Sequence, residues 1–328
     1  MKKITIFLAF GLLLFINESK AQQDPQYTQY MYNMNVVNPA YAGSRGTLSF
    51  GLLGRTQWTS IDGAPKTFTF NTHAPLGKKV GVGISVIADE IGPAKEQNIY
   101  ADFSYTLNTS DVGRLAFGLK AGVTLLDVNL LGVVLPETLN AGDPVFDENI
   151  NDAFPNFGAG VYYYTDKWYA GFSVPNILKS EHLDKDNINT KASEEVHYFL
   201  TGGYVFDLSS TVKLKPSLMV KGVAGAPISF DINANVLLYE RLEFGASYRW
   251  EDAVSVLVNF GVTPDFRIGY AYDYTISEFS NSQTGGSHEI ILLYDLDLSK
   301  KNLKSPSRNG KSSLSCTKKR LPKKMSPK

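Results

Sequence analysis

From residue 46 to residue 297 the chain changes character at every second position, in one segment after another. A period of two marks a β-strand with two unlike faces, because successive side chains point to opposite sides of the pleat. Leu48, Phe50 and Leu52 alternate with Thr47, Ser49 and Gly51, and Val80, Val82, Ile84 and Val86 alternate with Gly81, Gly83 and Ser85. Ile99, Ala101, Phe103, Tyr105 and Leu107 do the same around Asn98, Tyr100, Asp102, Ser104 and Thr106. Similar runs start near Phe68, Leu115, Phe157, Trp168, Val196, Val212, Ile228, Leu242, Val254, Phe266 and Ile290, which makes fourteen.

The other phase decides what kind of β protein this is. A soluble sandwich would turn its apolar phase inward and its charges outward, and one core has no use for so many long apolar faces. A membrane barrel inverts this: the apolar phase meets lipid, and a small, polar and charged phase lines the lumen. Asp102, Lys120, Lys213, Lys215, Lys221, Asp231, Glu243, Arg249, Arg267 and Asp273 all fall on the non-apolar phase of their runs, and are read as lumen-facing charges. After residue 21 no apolar run approaches the ~20 residues of a spanning helix. The pattern therefore predicts an all-β transmembrane antiparallel β-barrel of about fourteen strands.

Connection lengths test this independently, since bacterial barrels have tight periplasmic turns and longer external loops. Ala74 to Lys78, Asn108 to Gly113, Thr165 to Lys167, Asp207 to Ser210, Tyr239 to Arg241 and Thr263 to Asp265 form a short set. The alternate set contains the long connections Asp127 to Ala153, Pro175 to Glu195 and Ile276 to Ser287, together with two short ones, Gly222 to Pro227 and Glu251 to Asp252. In this topology Trp58, Trp168 and Trp250 lie at strand ends on the lipid phase, where aromatic girdles form. Pro216, inside the run from Val212, predicts a bulge.

Four regions follow. Residues 1–21 read as a cleaved signal peptide: Lys2 and Lys3, then an apolar stretch from Ile4 to Ile16, then small residues at Ser19 and Ala21. Residues 22–45 are expected to form a periplasmic rim or plug segment, 46–298 the barrel, and 299–328 a basic disordered tail. That tail carries eleven Lys or Arg and no acid, and with a whole-chain charge of zero the preceding 298 residues carry −11. A basic nucleic-acid binder is excluded by this balance, and the lone Cys316 has no intramolecular disulfide partner.

No catalytic constellation is present. His73, His182, His197 and His288 are scattered, and no close ligand pair of the kind zinc requires occurs among them. The phosphate-binding, dinucleotide-binding and nucleophile-elbow motifs are missing. Gly81-Val82-Gly83 continues as strand, and its small residues suit a crowded lumen. Asp147 to Asp152 places oxygen ligands at alternate positions as calcium loops do, but Asp152 stands at the bend position and Gly158 at the twelfth. It reads as an ordinary polar external loop, and no cofactor or metal is expected.

Ahead of the first run stand Gln23-Asp24-Pro25-Gln26-Tyr27-Thr28-Gln29-Tyr30-Met31 and Asn38-Pro39-Ala40-Tyr41-Ala42-Gly43. Arg55-Thr56-Gln57-Trp58, Gly63-Ala64-Pro65-Lys66-Thr67, Ser173-Val174-Pro175-Asn176 and Leu214-Lys215-Pro216-Ser217 follow. Together these resemble the PorP/SprF family of outer-membrane proteins over roughly Gln22 to Leu298. The resemblance implies a non-enzymatic role in type IX secretion and gliding motility, supporting export or surface anchoring of a secreted adhesin-like protein. It also implies partners in the periplasmic secretion machinery, including peptidoglycan-linked components, besides outer-membrane lipid.

Within the N-terminal block, Tyr27, Tyr30, Met31, Asn38, Pro39, Tyr41 and Gly43 are the candidate plug or partner-binding residues. Two readings of the whole compete with an enzyme far behind: an interaction barrel whose external loops bind the exported protein, and a passive diffusion channel whose mixed lumen charges pass small solutes.

Overall fold

The computed structural model describes residues 26–132, 149–178, 195–224, 226–277 and 281–297. The strands expected from the alternation form, and they close. They are β1 (Leu48–Thr56), β2 (Lys66–Leu76), β3 (Val80–Ile91), β4 (Ala94–Asn108), β5 (Arg114–Val128), β6 (Ile150–Tyr164), β7 (Trp168–Val174), β8 (His197–Tyr204), β9 (Phe206–Asp207), β10 (Val212–Val223), β11 (Ser229–Leu238), β12 (Leu242–Arg249), β13 (Ala253–Gly261), β14 (Phe266–Thr275) and β15 (Ser287–Leu296). Each pairs antiparallel with its neighbours in sequence, except that β8 and β9 both pair with β10, and β1 pairs with β15 from Leu48↔Leu296 to Thr56↔His288, which seals the cylinder.

Strands β8 and β9 are one stave broken at Val205, so the barrel has fourteen. The break is not the bulge expected at Pro216. Ser217↔Gly203 and Leu214↔Phe206 keep one register across it, so no residue is inserted. Pro216 has no N–H to give to the ladder, and a gap opens there without a shift.

The two faces are inverted relative to a soluble protein. Phe68, Ile84, Leu119, Val256 and Ile290 on the outer face are each more than half exposed, while Asp102, Lys120, Asn233 and Glu289 on the inner face are almost wholly buried. Water would make that outer face prohibitively costly and lipid makes it favourable.

Two connections are shorter than the apolar periodicity suggests. β3 and β4 run on to a hairpin at Gly92 and Pro93, and β5 and β6 run on to Val128 and from Ile150. In these extensions the outward phase becomes Glu90, Lys95, Gln97, Asp127 and Asn151, all exposed. A ladder needs only backbone pairing, so strands continue past the lipid while the apolar signal stops. Ile150–Asp152, the described end of the segment read as a polar external loop, are strand, and Asn149 accepts a hydrogen bond from the Leu131 amide. Asp147 and Glu148, the expected leader, residues 22–25, the interior of both long loops, and the basic tail with Cys316 lie outside the described residues.

Both barrel termini, Leu48 and Leu296, lie at one end, together with the tight turns at 77–79, 165–167 and 239–241. This is called the terminal end, and the other the far end.

Candidate functional site: a strap across the lumen

Residues 26–45 do not lie along a rim. They run through the lumen as a strap with three short helical turns, Tyr30–Tyr32, Met34–Val37 and Pro39–Tyr41. Fourteen staves leave an interior between the filled lumen of ~8 strands and the open channel of ~16–18, and the strap occupies that space. Tyr27, Tyr30, Asn38, Pro39 and Tyr41 are buried, whereas Met31 and Gly43 are partly so.

The strap enters near the far end. The Thr28 and Gln29 amides donate to the two oxygens of Glu289 at 2.9 and 2.8 Å, and the Thr28 hydroxyl donates to Asp273 at 2.7 Å. Arg55 pairs with both carboxylates, at 2.7 Å from Asp273 and 3.4 Å from Glu289. Beside it Arg249 bridges Asp231 at 2.8 Å and Asp252 at 3.2 Å. Charges this deeply desolvated persist only when paired and hydrogen-bonded, and the strap supplies several of the bonds.

The strap then reaches towards the terminal end, where the Tyr32 hydroxyl donates to Glu243, itself 2.9 Å from Lys215 and 3.5 Å from Arg267. The chain doubles back through the middle: Asn35 donates to Asp102 at 3.0 Å, and Lys120 donates to the Val36 carbonyl at 2.7 Å while its ammonium lies 4.8 Å from the Tyr100 ring centre.

Against β3 to β7 the contact is steric. A Cβ on Gly118 would fall on the Ala40 backbone, one on Gly81 on the Ala42 carbonyl, and one on Gly160 on the Asn38 carboxamide. Asn38 caps the last turn by accepting from the Ala40 amide at 2.9 Å and donates to the Val161 carbonyl at 3.1 Å. Ser173 and Ser104 donate to the Val37 and Ala42 carbonyls at 2.8 and 2.7 Å. The Tyr41 ring meets His73 and Tyr162 edge-on at 5.3 and 5.4 Å. Gly43 then turns the chain at φ +74° with its amide on His73 Nδ1, and Arg45 pairs with Asp295 as the chain leaves for β1.

Of the ten charges assigned to the lumen phase, Asp102, Lys120, Lys221, Asp231, Glu243, Arg249 and Asp273 are buried, and Lys213, Lys215 and Arg267 are partly so. Lys221 is buried; Lys213 sits near the terminal mouth, 3.1 Å from Glu240; Lys215 and Arg267 border an open cavity of about 930 Å³ there. Arg55, Glu289 and Asp295 were not among them. Arg55 and Asp295 do lie on the non-apolar phase of their runs, and Glu289 stands one residue ahead of the last run, so the phase rule extended by a residue finds them. Leu53, Leu237, Leu257, Ile291 and Leu293 also face inward and are buried, which the polar-lumen rule does not anticipate. Trp168 and Trp250 are exposed on the outer face, with ring contacts to Tyr163 and Tyr248, and Trp58 is half-buried just past β1.

The model of the type IX secretion system membrane protein PorP/SprF matches residues 19–294, which covers the strap and nearly the whole barrel. The chain belongs to the PorP/SprF family. A search of the curated proteins found no match. Among solved structures the PorP/SprF chain is similar to the CymD monoaromatic hydrocarbon channel, at 11% identity and a TM-score of 0.47, covering 80% of this chain and 93% of that one. It is also similar to the Pseudomonas putida toluene transporter TodX (10%, TM-score 0.46, 81% and 94%) and to the Acinetobacter baumannii outer membrane protein Omp33 (10%, TM-score 0.45, 77% and 100%). These likenesses are of fold. As a PorP/SprF protein with a lipid-facing barrel, the chain is an outer-membrane component of a secretion system.

Proposed function

We propose that this barrel is a plugged, non-enzymatic outer-membrane component of the type IX machinery that supports export and surface attachment of a secreted adhesin-like protein, in the setting of gliding motility. The strap is what supports this reading over a diffusion pore. A pore needs a continuous water path, whereas here residues 27–42 are tied to the walls from β1 round to β15. The terminal end, with its tight turns, is read as periplasmic, so that the leader at 1–21 serves export and the turns and basic tail meet periplasmic or peptidoglycan-linked components. The far-end loops then face outside, where loops on a rigid scaffold carry recognition.

Crosslinking on whole cells followed by recovery of the barrel, with liposome swelling in parallel, tests the proposal. A recovered secreted surface protein and liposomes impermeable to small sugars are the expected result. Swelling without any such protein would establish the porin-like alternative. Deleting residues 23–42 should raise single-channel conductance; unchanged conductance would count against a plug.

A further inference from the structure

The direction of the strap has a topological consequence. Its later half leaves at the terminal end, where Arg45 meets Asp295 at the foot of β15. Its earlier half is at the opposite end: Thr28 and Gln29 are held by Glu289, which pairs across the ladder with Arg55, next to the last residue of β1. Gln26 lines a small far-end cavity of about 60 Å³ together with Glu96, Pro175, Asn176 and Ser229, all from the far-end borders of the strands and their connections.

Only four residues, Gln22 to Pro25, separate Gln26 from the expected cleavage point. Fully extended they reach at most about 14 Å at ~3.3–3.6 Å per residue. The way back along β1 from Arg55 to Leu48 is on the order of 20 Å at ~3.3 Å per residue. Four residues cannot span that distance.

We infer that the mature chain is threaded through its own barrel, so that its first residues emerge at the far, cell-surface mouth while β1 and β15 start and finish on the periplasmic side. The N-terminus then forms part of the surface presented to the exported partner. This rests on the periplasmic placement of the terminal end and on the removal of the leader after residue 21, both proposed above.

Single-cysteine reporters in a Cys316→Ser background separate the two. Gln97→Cys marks the far end of β4, Ser209→Cys an exposed turn at the terminal end, and Gln23→Cys the threaded start. A membrane-impermeant maleimide applied to intact cells should label Gln23→Cys and Gln97→Cys to the same extent before and after the outer membrane is permeabilised, and Ser209→Cys only afterwards. If Gln97→Cys labels in intact cells but Gln23→Cys does not, threading is wrong and the orientation stands. If Ser209→Cys labels in intact cells and Gln97→Cys does not, the orientation is wrong and the surface location falls with it.

Discussion

The strap touches two walls that hold it by different physics. Along β3 to β7 it is seated by shape: Gly81, Gly118 and Gly160 remove side chains where its backbone must pass, and small hydroxyls at Ser104 and Ser173 take up its carbonyls. Along β10 to β15 and β1 it is seated by charge: Glu289, Asp273 and Glu243 receive its amides and hydroxyls, with Arg55 and Lys215 as counter-ions. Shape tolerates nothing larger than hydrogen, whereas charge tolerates small shifts but not the loss of a partner. The Asp102–Lys120 pair shows that the division is one of emphasis, since it lies on the glycine side yet binds Asn35 and Val36.

The comparison breaks most severely at Gly118. Gly118→Leu should abolish docking of Pro39–Tyr41, because the obstacle is backbone and exceeds ordinary overpacking at ~1–3 kcal/mol. Conductance near that of the strap deletion checks it, in barrels that keep their heat-modifiable gel shift. Next comes the charged wall: Glu289→Ala orphans two amides and a share of Arg55, with an expected loss of ~3–5 kcal/mol in strap docking. Hydrogen exchange over residues 27–32 should accelerate accordingly while residues 38–42 change less.

Asn38→Ala, which removes a cap and a bond to Val161, should cost ~1–2 kcal/mol, seen as faster exchange at Ala40. Ser104→Ala should cost ~1 kcal/mol, confined to Ala42 and Gly43. If Glu289→Ala and Ser104→Ala loosened the whole strap equally, the two walls would act as one unit and the distinction would fail.

Much of the barrel is legible in the chain because lipid imposes a simple rule on alternate residues. Phe103 and Leu119 face out, Asp102 and Lys120 face in, and one glance at their spacing says so. The extensions at Glu90, Lys95 and Asp127 escape that rule, since there the outward phase turns polar and the alternation that marks a lipid-facing strand is lost. The strap is harder still. Tyr30 and Met34 have no strand period, and the three turns between Tyr30 and Tyr41 are too short to leave a helical one. The N-terminal block could be singled out by its family motif, but not its path.

By itself, then, the amino-acid order determined that this is a lipid-facing barrel, how many staves it has, and which charges turn inward, because strand pleat and solvent preference are local properties read residue by residue. Only the closed tertiary structure decided that Glu289 meets Thr28 across 261 positions and that Gly118 makes way for Ala40. Those contacts depend on which staves face each other across the lumen, and no local period encodes that.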